Sequence, residues 1–170
     1  NPTVAALEAK MADLEGAQAA VAFSSGTAAT SSVLLGLLNP GDEIAFLGPL
    51  YGGTEGLFRQ LGERFGIRVV DATQQGLAAS LTPATRMVWV ETLTNPSLRL
   101  HDLAGVAAIA KARGVLTVAD NTFCTPCLAR PLEYGIDLAM HSMTKYLGGH
   151  GDATGGIVAG SAALIASVRK

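Results

Sequence analysis

Charge is scarce in this chain. Only 15% of its 170 residues are charged, against 49% hydrophobic, and the formal net charge is −2. So weak a field gives no electrostatic case for binding nucleic acid or an anionic membrane. No apolar run approaches the roughly 20 residues of a membrane span, and the opening residues do not read as a signal peptide. Cysteine is nearly absent, with only Cys124 and Cys127, in the order Cys124-Thr125-Pro126-Cys127. A zinc site on that pair needs two more ligands, and His101, His141 and His150 have no paired spacing. A redox pair wants its first cysteine at a helix N-terminus, whereas Cys124 follows a strand and an Asp-Asn-Thr-Phe turn. Ordinary reduced thiols are the expectation, and they suit a cytoplasmic protein. The sparse charge also implies that part of the surface is covered by something outside the segment. The chain opens on Asn1-Pro2-Thr3 and ends on Arg169-Lys170 within a helical pattern. Both ends read as cuts in a longer protein.

Lysine is scarce too, with four in the chain. Lys10 and Lys111 lie in amphipathic helical stretches beside other charges, and Lys170 is the last residue. Lys145 alone sits among hydroxyls, glycines and apolar residues, in His141-Ser142-Met143-Thr144-Lys145-Tyr146-Leu147-Gly148-Gly149-His150. The expectation there is a poorly solvated amine, whose neutral, nucleophilic form is accessible. Such an amine can form a Schiff base with a carbonyl. A lysine that snorkels from a loop is the plainer alternative.

Strand-like and helix-like runs alternate, which predicts an α/β layered domain. Val4, Leu7, Met11 and Leu14 mark a first helix. About seven strands are expected, over 20–23, 43–47, 67–71, 86–91, 115–120, 136–141 and 156–159. Helices follow Ser25, cover 55–65, and run from an Asp102 N-cap to Gly114. Ser25, Glu91, Asp120 and Ser142 fall where apolar strands end. In open α/β sheets that edge is where ligands bind.

Ser24-Ser25-Gly26-Thr27 joins a strand to a helix, so its free N–H groups suit a phosphate, although a plain N-cap reads the same way. Asp120 ends a buried apolar run and needs a partner, for which a cationic ring nitrogen or a turn through Asn121 would serve. If the strand continues, Thr122 shares the Asp120 side. Ser142 and Thr144 offer hydroxyls beside Lys145, and Tyr51 offers an aromatic face. Phosphate, stacked ring, pyridinium and Schiff-base lysine are together the parts list for pyridoxal 5′-phosphate.

With those residues in place, the chain resembles the cofactor-binding core of the Cys/Met-metabolism, or trans-sulfuration, family of fold-type I PLP-dependent enzymes. The matching segments are Asn1-Pro2-Thr3, Ser25-Gly26, Gly41-Asp42, Tyr51-Gly52-Gly53-Thr54, Glu91-Thr92 with Asn95-Pro96, Asp120-Asn121-Thr122-Phe123, and Ser142 through His150 with Asp152. The resemblance implies a three-layer α/β/α major domain with a mostly parallel seven-stranded sheet, like that of aspartate aminotransferase. Residues 1–170 would be a fragment of that domain. The activity it implies is γ-replacement or γ- or β-elimination on sulfur amino acids or O-acylhomoserine.

The same resemblance makes Lys145, Tyr51 and Asp120 the catalytic residues. Lys145 forms the Schiff base and shuttles protons, Asp120 keeps the pyridine nitrogen protonated, and Tyr51 stacks on the ring with Thr122 on its other face. Ser25, Gly26 and Thr27, with Ser142 and Thr144, hold the phosphate. Asn95 is near the ring's phenolic oxygen, and Glu91 supports the site. A cytoplasmic homotetramer, built of dimers that share active sites, is implied, with an upstream Tyr/Arg pair and a C-terminal domain outside this segment. A degenerate, non-catalytic module of the same fold is the alternative of another class. Three departures stand out. Thr27 replaces a usual Met, and Gly53 stands where bacterial methionine γ-lyases commonly carry Cys, which counts against that activity. Cys124 and Cys127 replace an Ala and an aromatic, and are expected to alter the pocket wall.

Overall fold

The computed structural model describes residues 1–169, and Lys170 lies outside the described residues. Seven strands form one sheet: β1 (Ala19–Phe23), β2 (Glu43–Leu47), β3 (Arg68–Asp71), β4 (Thr85–Glu91), β5 (Leu116–Asp120), β6 (Leu138–Ser142) and β7 (Gly156–Gly160). The helices are α1 (Pro2–Glu15), α2 (Gly26–Leu37), α3 (Gly52–Phe65), α4 (Leu77–Ser80), α5 (Leu103–Lys111), α6 (Thr125–Leu128) and α7 (Ala162–Val168), with a 3-10 turn at Pro131–Tyr134. The strand order is β1-β7-β6-β5-β4-β2-β3. Every pairing is parallel except those of β7, which runs against both β1 and β6. The expected three-layer, mostly parallel sheet is therefore present.

Both faces of the sheet are covered, which is why its strands read as near-continuous apolar runs. On one face α2, α3 and α7 pack through Val33, Leu34, Phe58, Leu61 and Ile165 onto Met87, Trp89, Val118, Leu138, Met140 and Val158. On the other, α4 and α5 cover Val88, Val90 and Ala119, while α1 covers Ala20, Ile157 and Ala159 through Met11 and Ala12. Ser25 N-caps α2 by accepting the Ala28 N–H at 3.1 Å. Asp102 caps α5 through Gly105, which ends three residues before Gly114 because a turn with Gly114 at φ 64° intervenes. α3 starts at Gly52 rather than at Glu55, and β6 starts at Leu138 rather than at Ile136 because Asp137 is bonded to Thr117. None of the helices among the described residues is long and apolar enough to cross a membrane.

A polar cluster is sealed beneath α1. Glu15 and His141 are both fully buried, and Glu15 Oε1 lies 2.5 Å from His141 Nε2. Asn121 Nδ2 donates to the same oxygen at 3.2 Å and to the Ala129 carbonyl at 2.8 Å. The cluster ties α1 to the ends of β5 and β6 on the face away from α2. Removing one member leaves its buried partner uncompensated. Glu15→Ala is expected to lower unfolding free energy by about 3–5 kcal/mol in urea denaturation. A loss within the ~0.5 kcal/mol of an ordinary surface substitution would mean the pair does not hold α1 down.

Candidate active site

The carboxyl ends of β1, β2, β4, β5 and β6 share one edge, and a cleft of about 260 Å³ opens there. Ser25, Gly26, Thr27, Tyr51, Glu91, Asn95, Asp120, Thr122, Ser142, Thr144 and Lys145 all line it. They come from positions far apart in sequence, and the strand ends bring them together.

At one end is the start of α2. The first N–H groups of a helix have no intrahelical partner, so Gly26 and Thr27 present donors, aided by the helix dipole. Gly26 is required sterically, since a Cβ there would sit 2.6 Å from Ser142 Cβ. The Ser142 hydroxyl faces this turn. Thr144 differs from expectation, because its hydroxyl is engaged by Gly155, accepting that N–H at 3.1 Å and lying 3.4 Å from that carbonyl. It holds the loop after β6 against β7 while still lining the cleft.

Asp120 stands at the other end. Its Oδ1 accepts the Thr122 N–H at 3.0 Å and the Thr122 hydroxyl at 2.5 Å. The other oxygen has no hydrogen-bond partner among the described residues. Burial pushes its carboxyl above the usual range, against the Thr122 hydrogen bonds and the charge of His141 behind the sheet. Thr122 reaches the cleft through a turn, not by continuing the strand, because Asp120 closes β5 and caps that turn. The Thr122 hydroxyl also accepts the Ser142 N–H at 2.9 Å, which ties β5 to β6. Glu91, paired with Asp120 across β4 and β5, accepts the Tyr51 N–H at 2.5 Å and the Asn95 N–H at 3.1 Å. Burial and the charges of Asp120 and Glu55 raise its carboxyl to about 7, against those two N–H bonds.

Lys145 corrects one expectation. It is exposed rather than poorly solvated. The hydroxyls and glycines around it build an open turn, with Gly148 N–H on the Met143 carbonyl and Gly149 N–H on the Lys145 carbonyl, and that turn stands at the cleft mouth. Cys124 and Cys127 do not line the cleft, so they do not shape its wall as expected. Cys124 does stand at the N-cap position of α6, but it is buried and burial pushes its thiol up, the reverse of a reactive thiol. Both cysteines are free, and no group of three or more metal-ligating side chains occurs among the described residues.

Two residues of the site carried no recognised sequence signal. Gly156 lets β7 pass beside the phosphate-type turn, since a Cβ there would lie 2.1 Å from the Ser25 carbonyl oxygen. Glu15 meets Asn121 and His141, the neighbours of Asp120 and Ser142 in sequence, and only its burial in α1 marks it. The cleft thus offers an anion cradle, a half-buried carboxylate with a free oxygen, and one primary amine. That donor set fits pyridoxal phosphate. Gly26→Ala is expected to displace Ser142 and weaken binding of pyridoxal phosphate by about tenfold or more, the scale of one hydrogen bond to a charged group. Titration calorimetry checks this, and unchanged affinity would place the anion elsewhere.

The family described as Cys/Met metabolism PLP-dependent enzyme matches residues 1–169. L-methionine γ-lyase of Pseudomonas putida is 51% identical over 173 residues, covering 99% of this chain and 43% of that protein. Cystathionine γ-lyase of Bacillus subtilis is 44% identical over 161 residues, covering 93% of this chain and 42% of that protein. The crystal structure of metB from Corynebacterium glutamicum superposes with a TM-score of 0.94 at 40% identity, over 99% of this chain and 45% of the other. The chain thus spans less than half the length of these relatives. With the cleft's donor set, these likenesses establish that the chain belongs to the Cys/Met metabolism family of PLP-dependent enzymes.

Proposed function

We propose that the protein carrying this segment is a PLP-dependent enzyme acting on sulfur amino acids or O-acylhomoserine, by γ-replacement or by γ- or β-elimination. The observation that carries this reading is the convergence of an anion cradle, a half-buried carboxylate acceptor and a single lysine in one cleft. The breadth of the reaction class follows the relatives, which include methionine γ-lyase, cystathionine β- and γ-lyases and cystathionine γ-synthase.

In this reading Gly26 and Thr27 N–H groups, with Ser25 and Ser142, hold the phosphate, and Thr144 keeps that wall in place. The free Asp120 oxygen would accept the ring N–H, Thr122 fixes the Asp120 carboxylate, and Asn95 would serve the ring hydroxyl. Tyr51 supplies the aromatic wall, and Lys145 Nζ the amine that takes the cofactor's carbonyl. When bound, the cofactor draws electrons from the carbon that bears the substrate's amino group. Lys145, at the open side of the cleft, takes the proton from the substrate Cα and returns it as general base and acid. For γ-chemistry a second proton leaves Cβ, and Lys145 is the lysine placed to receive it. Thr122 keeps Asp120 oriented through both protonation states of Lys145.

The same reading makes the protein a cytoplasmic homotetramer of dimers that share active sites. Its support is the pair of free thiols, the exposed Val4 and Leu7 along α1, and a cleft open beside Lys145.

Borohydride reduction of the purified full-length protein with pyridoxal phosphate, followed by peptide mapping, tests the assignment. A pyridoxyl group on Lys145 is expected. Lys145→Ala is expected to abolish turnover of a sulfur amino-acid panel, a loss of at least the roughly 100- to 10,000-fold ascribed to a general base. No label on Lys145 would overturn it and favour a non-catalytic binding module, and retained activity in the variant would overturn Lys145 as the catalytic lysine.

A further inference from the structure

Glu91 closes β4, and its carboxylate is divided between two loops. Oε1 takes the N–H of Tyr51, which opens α3, and Oε2 takes the N–H of Asn95. The Tyr51 carbonyl accepts the Thr54 and Glu55 N–H groups of α3, but its N–H is held by Glu91 alone, and the residue is 55% exposed with no side-chain cap hydrogen bond. Its ring lies back over Gly53, where a Cβ would come within 2.5 Å of the ring. The ring's place at the cleft therefore depends on where the Tyr51 backbone is pinned.

We propose that Glu91 is a positioning residue whose single ionised carboxylate holds Tyr51 and Asn95 to one edge of the cleft and releases one of them when it takes a proton. The inference deepens the reading above and rests on it for the identity of the ligand. An ionised carboxylate accepts on both oxygens. Once protonated, its hydroxyl presents a hydrogen to the facing N–H, and that contact fails. The remaining contact is also weakened, because hydrogen bonds to a charged acceptor are the stronger kind.

The charged groups facing Glu91 are Asp120 from β5 and Glu55 from α3, both acidic, with Lys145 on the cleft wall from the loop after β6. The acidic pair and burial place the Glu91 transition near neutrality. Below it the acid is neutral and one loop is free, and above it both loops are pinned. A cationic ring held by Asp120 removes part of the repulsion on Glu91, so ligand and ionised Glu91 favour each other reciprocally.

The test follows the Tyr51 and Asn95 amide resonances in the full-length, cofactor-free protein by NMR between about pH 5 and pH 9, a window that brackets neutrality. Both are expected to move with one midpoint near 7, and Glu91→Gln is expected to abolish that transition. In the same variant, pyridoxal phosphate affinity at about pH 8 is expected to fall about tenfold, as for one lost hydrogen bond to a charged group, and to lose the component of its pH dependence whose midpoint matches that of the two amides. Static amides in the wild type, or an unchanged titration in Glu91→Gln, would overturn the proposal. If Glu91→Gln does not fold, the Glu91 carboxyl carbon in the wild type decides, since a midpoint different from those of the two amides overturns it as well. The amide titration needs no cofactor, so its failure is distinct from failure to label Lys145.

Discussion

The cleft exists because the Ser25 carbonyl passes a position in β7 that has no side chain. A Cβ at Gly156 would lie 2.1 Å from that oxygen, and one at Gly26 would lie 2.6 Å from Ser142 Cβ. These two approaches bring the start of α2 against the ends of β6 and β7. Without them the anion cradle and the lysine loop would belong to different parts of the molecule. The energetics are those of close packing, where an extra methyl against backbone forces a shift that nothing nearby absorbs.

Around that contact, acidic groups are arranged against the ordinary preference of burial for neutrality. Asp120 and Glu91 are neighbours across β4 and β5, and both have raised carboxyls. Their hydrogen-bond partners differ in kind. Asp120 leans on Thr122, which in turn receives the Ser142 N–H, so the carboxylate is braced by the adjoining strand. Glu91 leans on loop backbone. One carboxylate is therefore held by the sheet, while the other holds the loops at the rim.

The fold was legible because a sheet covered on both faces writes its strands as uninterrupted apolar runs, and each of the seven expected strands overlaps an observed one. The short helices α4 and α6 left no periodic trace, being only four residues each. Within the cleft, the strand-end polar residues were legible because polar side chains at such ends are otherwise costly. Solvation was not. Lys145 has apolar and small neighbours in sequence, yet the turn they build stands outward and leaves it exposed. Nor could sequence show that the Thr144 hydroxyl is engaged by Gly155, or that Glu15 meets His141 across 126 residues.

The place of β7 in the sheet has a consequence for the birth of the protein. β1 pairs with no strand but β7, which lies between it and β6. As the chain leaves the ribosome from its N-terminus, β2 to β6 can assemble as they emerge, but β1 has no strand to pair with until residues 156–160 arrive. The turn that follows β1 has until then only the approach of Gly26 to Ser142 to place it, without the Ser25 contact on Gly156. A nascent chain stalled after Lys145 would carry every residue assigned to the cofactor and still lack the place to put it.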